Sequence, residues 1–83
     1  MKQLARTPKD IGHAIRQARK ALKLTQKELA NRSGVWQETI SKIENDVGGT
    51  KIDTIFDLLA ALDLEIQIQP RTKGMAIPMD ELF

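Results

Sequence analysis

Residues 24–45, LTQKELANRSGVWQETISKIEN, constrain the fold more than any other stretch of the chain. Two short helical patterns meet at Ser33-Gly34. A glycine at that corner can take the left-handed conformation that ends a helix at little cost. Thr25, followed three residues later by Glu28, matches a capping box and starts the first helix of the pair. The second runs from about Trp36 to Glu44. Counting from Gln26, the inward positions are Leu29, Ala30, Val35, Ile40 and Ile43, and the small Ala30 lets the two helices approach closely. One side of the second helix is thereby committed to the body of the domain, and the other faces out. A helix held in this way fits a DNA major groove, about 12 Å wide, with its first residues at base edges. Helical hairpins without a DNA role share parts of the same spacing.

The flanking sequence extends an all-α reading. Thr7-Pro8 opens a helix, with Thr as N-cap, Pro at the first helical position and Asp10 in the first turn. Ile11, Ile15, Ala18 and Leu22 then form one apolar stripe, while Arg16, Arg19, Lys20 and Lys23 lie mostly off it. NDVGGT, residues 45–50, is a loop. Thr50 or Asp53 is expected to cap a fourth helix, whose broad apolar face holds Ile52, Ile55, Phe56, Leu59 and Leu62 with Ala60 beside them. At LEIQIQ, residues 64–69, the period changes to alternation, which reads as a half-buried strand stopped by Pro70. A lone strand leaves its backbone groups unpaired. Pairing Leu64, Ile66 and Ile68 with the same strand of a second copy about a two-fold axis solves this, and a homodimer is expected. A frayed tail on a monomer is the alternative.

The expected organisation is a flexible N-terminus over 1–6, one DNA-binding and dimerisation domain over 7–69, and a flexible tail over 70–83. That tail ends in Leu82-Phe83, either without a role or as a segment that orders against a partner groove. At 83 residues one domain is expected, with marginal stability on its own. The chain has no cysteine, which fits a reducing compartment, and its single histidine leaves no metal cluster. The longest apolar run, Leu58–Leu62, is too short to span a membrane, and no apolar stretch follows Lys2 and Arg6 to suggest a signal peptide. Charge divides unevenly. Residues 1–51 carry 11 Lys/Arg against 5 Asp/Glu, and residues 52–83 carry 2 against 6. A basic first part points to a polyanion partner, or to an ordinary solvated surface.

The segment from Thr7 to about Thr72 resembles the lambda-repressor-like (Xre-type) helix-turn-helix proteins, with residues 24–45 as the core signature. TPKDIGHAIRQARKALKLTQKELA and DTIFDLLAALDLEIQIQPR look closer to one branch, the HipB-like antitoxins of HipBA toxin–antitoxin systems. The resemblance covers about four-fifths of the chain and leaves the tail outside. It implies a four-helix domain, a symmetric dimer through the C-terminal strand and binding to an inverted-repeat operator. It also implies a partner, a HipA-like serine/threonine kinase toxin that the antitoxin holds inactive. The expected function is an antitoxin that represses its own operon, cytoplasmic at the nucleoid and without a cofactor. The rival readings are a free-standing repressor and a chain that is mainly a protein-binding inhibitor.

Candidate contacts follow from side-chain chemistry. The resemblance gives Gln26 a phosphate contact and support of the next helix; an exposed glutamine without a role is the plain alternative. Gln37, near the start of the second helix, can pair bidentately with adenine. Glu38 suits a cytosine amine or complements the helix dipole. Thr39 and Ser41 suit phosphates or thymine methyls, and Lys42 a guanine or a phosphate. Trp36 departs from the small polar or basic residue common in the family. Its indole can pack on sugar or thymine methyl, donate to a phosphate, or shield the domain's own core. Lys27, Arg19, Lys20, Lys23 and Lys51 are candidate phosphate neutralisers. His13 reads as surface or helix packing rather than a ligand. Leu82 and Phe83 are the candidate toxin contact. No enzyme constellation is expected: Ser33 and Ser41 have no neighbouring histidine, and the glycines form no phosphate-binding loop.

Overall fold

The computed structural model of the protein describes residues 3–46 and 48–71. Four helices follow one another: α1 (Pro8–Ala21), α2 (Gln26–Ser33), α3 (Gln37–Glu44) and α4 (Ile52–Ala61). The all-α expectation holds, and the helix starts follow from their caps. Thr7 Oγ1 accepts the Asp10 N–H at 3.2 Å, and the Asp10 carboxylate accepts the N–H groups of Arg6 at 2.8 Å and Thr7 at 3.2 Å. The Thr25 hydroxyl accepts from the Glu28 N–H at 3.0 Å, and Glu28 Oε1 accepts from the Thr25 N–H at 2.9 Å. Both boxes occupy backbone donors that a helix start otherwise leaves unpaired.

Gly34 sits at φ +75° and gives its N–H to the Ala30 carbonyl at 3.0 Å. Ser33 Oγ accepts from the Val35 N–H at 3.1 Å, so the N–H groups of both Gly34 and Val35 are paired at the turn.

The core gathers Ile15, Leu24, Leu29, Val35, Ile40, Ile43, Leu58, Leu59 and Leu62, with Ile11, Ala18, Ala30 and Ile55 packed against it. All five inward positions expected of the helix pair lie in this cluster or against it. Helix α3 packs against both α1 and α2, and α2 also packs against α4. The approach of α1 to α3 is close at buried Gly12, where a Cβ would stand 2.1 Å from the Ile43 carbonyl oxygen.

Three expectations are corrected. Leu22 is exposed, because α1 ends at Ala21 and Leu22 is its C-cap, past the stripe. Neither Thr50 nor Asp53 caps α4: the N-cap is Lys51, without a side-chain bond, and Asp53 lies in the first turn, where its charge suits the helix dipole. The face of α4 is also narrower than expected. Ile52, Phe56 and Ala60, spaced four apart, form an outward stripe, and Ile52 keeps 68% of its surface exposed.

After α4, the Leu64 N–H bonds the Leu59 carbonyl at 2.8 Å. Residues 64–71 carry no strand ladder within the single chain, and Leu64, Ile66 and Ile68 are all exposed, Ile68 at 93%. The tail from residue 72 onward, with Leu82 and Phe83, lies outside the described residues. No helix among those described is long and apolar enough to cross a membrane.

Candidate nucleic-acid interface

Beneath the helix pair lies an ion pair between two charges that each follow a core isoleucine by four residues. Arg19 is one turn beyond Ile15 on α1, and Glu44 is one turn beyond Ile40 on α3, so helical periodicity turns both inward. Arg19 Nε and Nη2 donate to Glu44 Oε2 and Oε1 at 2.8 and 2.9 Å, a bidentate fork. Arg19 Nη1 donates to the Leu24 carbonyl at 2.8 Å. The hydrogen bonds it donates to Glu44 hold the guanidinium above its ordinary pKa, against the opposing effect of burial. Among the described residues no buried side-chain polar atom is left without a partner. Arg19 is therefore not a phosphate neutraliser; its guanidinium is spent inside the domain, locking α1 to the end of α3.

The network reaches the surface through Gln26. Its Nε2 donates to Glu44 Oε1 at 3.2 Å, so the half-buried first residue of α2 is oriented by the buried pair. A primary amide carries a second N–H beyond the one given to Glu44.

On the outer side, Gln26, Trp36, Gln37, Glu38 and Ser41 line one shallow depression where α2 and α3 begin. Five of the twelve candidate DNA contacts named from the sequence thus meet in one place. At about 100° per residue, Gln37, Ser41, Glu38 and Lys42 share the outward arc of α3, while Ile40, Ile43 and Glu44 occupy the buried one. Lys42 and, on α2, Lys27 are exposed beside the depression without lining it. Thr39 is half-buried and off the outward arc. The Ser41 hydroxyl and carbonyl accept from Asn45 Nδ2 at 3.3 and 2.8 Å, which ties the C-terminal turn of α3.

Trp36 is the N-cap residue of α3 and is 82% exposed. It does not shield the domain's core. Lys20, Lys23, Lys51 and His13 are exposed. The residues that sequence reasoning missed are Glu44, as anchor of Gln26, and Gly12, as the point where α1 and α3 nearly touch.

A family model described as "Helix-turn-helix" matches residues 15–69. The "Uncharacterized HTH-type transcriptional regulator y4dL" of Sinorhizobium fredii is 40% identical over 67 residues, 81% of this chain and 34% of that protein. The chain thus spans about a third of that relative's length. "Antitoxin HipB" of Escherichia coli is 34% identical over 62 residues, covering 75% of this chain and 70% of the antitoxin. A solved chain from "Structure of HipA-HipB-O2-O3 complex" superposes with a TM-score of 0.78 at 31% identity, over 86% of this chain and 100% of that one.

Proposed function

The chain belongs to the helix-turn-helix family of Xre-like DNA-binding regulators, and from that premise we propose that it is an antitoxin that represses its own operon. It binds an inverted-repeat operator as a homodimer in the cytoplasm, and it holds a HipA-like serine/threonine kinase inactive. One arrangement carries the reading. The outward side of α3 shares a depression with Gln26, while the other side of α3 is fixed by the core and by the Arg19–Glu44 pair. A recognition helix needs this combination, a rigid back and a polar front.

In this reading Gln37 reads adenine and Glu38 accepts from a cytosine amine. Gln26, Lys27, Thr39, Ser41 and Lys42 serve phosphates and the groove rim. The exposed Leu64, Ile66 and Ile68 pair with their counterparts in a second copy, and the uncovered Ile52–Phe56 stripe adds apolar surface nearby. The solved complex of a HipB relative with HipA supports the kinase as partner, and Leu82-Phe83 are the proposed contact with it. The y4dL relative, named as a transcriptional regulator, favours a second reading, a repressor without a toxin.

The experiment is a titration of DNA from upstream of the chain's own gene with wild type and Gln37→Ala. Loss of one bidentate base pairing costs about 1–3 kcal/mol, so specific affinity should fall roughly five- to 150-fold while competitor DNA is bound as before. Equal affinity of both variants for that DNA refutes the assignment of Gln37. Inhibition of a HipA-like kinase from the same genome by the purified chain separates antitoxin from free-standing repressor.

A further inference from the structure

Trp36 breaks two local rules at one position. It occupies the N-cap of α3, where Ser, Thr, Asp or Asn would accept a backbone N–H, and it makes no side-chain cap bond. It also leaves 82% of a large indole in water at the edge of the depression formed with Gln26, Gln37, Glu38 and Ser41. Helices α1 and α2 both carry complete capping boxes. Helix α4 also starts without a side-chain cap, on Lys51, but α3 gives up its cap for an aromatic ring beside its outward polar face. Local rules are most often broken where function demands it.

Resting on the DNA-binding reading above, we propose that Trp36 reads the C5-methyl group of a thymine at the edge of each half-site. The indole face has no acceptor and its single donor is one ring N–H. In the major groove every base pair displays donors and acceptors, but among the four bases only thymine displays an apolar group. A side chain that is nearly all apolar surface, at the first turn of a helix entering that groove, is suited to this methyl and to little else. Its neighbour Gln37 suits adenine, so the two consecutive residues together favour an A·T-containing step.

The test begins with the preferred DNA selected by the full chain from a random pool. Each thymine is then replaced by deoxyuridine, which removes the methyl and keeps the base pairing. For wild type, one position per half-site should lose about four-fold in affinity, the worth of one buried methyl group. Trp36→Ser should lose that sensitivity at that position and keep it elsewhere. Serine also supplies a cap, so this variant is expected to fold at least as well. Trp36 is the sole tryptophan in a chain without tyrosine, so its emission reports on one side chain and should shift when the selected DNA is added. An equal deoxyuridine penalty in both proteins, or none in wild type, overturns the proposal and leaves the indole to sugar or phosphate. If no DNA is selected at all, the underlying DNA-binding reading falls first and takes the proposal with it, a result distinct from specific binding that ignores the methyl.

Discussion

At Gly12 the backbone of α1 comes so near to α3 that a single added carbon would meet the Ile43 carbonyl oxygen at 2.1 Å. The neighbour is main chain, so no rotamer change relieves the clash. Gly12→Ala should therefore destabilise the fold by about 1–3 kcal/mol, although alanine is the better helix former. Denaturant unfolding measures this; an unchanged or higher stability would show that α1 and α3 can separate at no cost. Nothing in the sequence around Gly12 distinguishes it from a tolerated helical glycine, because the carbonyl it faces lies 31 positions away. Arg19 and Glu44 differ in this respect. Each stands four residues after a core isoleucine, and that spacing already turns both inward. Charge alone places Arg19 on the surface, while its burial follows from its position one turn beyond Ile15, beside the apolar stripe.

Elements were legible where their signals are local. The boxes Thr7–Asp10 and Thr25–Glu28 and the left-handed Gly34 mark helix ends through bonds spanning a few residues, and α1, α2 and α3 begin as expected. The start of α4 was not legible, since Lys51 caps it without a side-chain bond and two plausible capping residues flank it. The split face of α4 is hidden for another reason: an apolar stripe left in solvent has the same periodicity as one turned to the core.

The boxes also carry a pH dependence. Backbone N–H bonds, from Arg6 to Asp10 and from Thr25 to Glu28, hold both carboxyls below the usual carboxylate range. A carboxyl with a depressed folded-state pKa contributes stability above its unfolded value, about 4, and loses it as pH falls through the lower folded value. The melting temperature of wild type should drop as the solution is acidified below about pH 4. Glu28→Gln should melt lower than wild type at neutral pH, with the gap closing in that acid window. Parallel curves for the two proteins would show that the α2 box carries none of the dependence.

The whole molecule is a small core with an apolar side left over. Ile52, Phe56, Leu64, Ile66 and Ile68 remain exposed on the single chain, and a second copy is the proposed cover. Ile66→Lys would place a charge in that paired surface, so sedimentation should shift the protein from dimer toward monomer; an unaltered dimer would remove residues 64–69 from the interface. Dimerisation bears on DNA reading, because two copies present two α3 helices at a fixed spacing. Selection of bound sequences from a random DNA pool by the full chain tests this most directly. The expected result is an inverted repeat whose half-site centres lie about 34 Å apart, one helical turn, or a multiple of it. A pool that never enriches, or that yields a single unrepeated motif, would contradict a pair of recognition helices acting together.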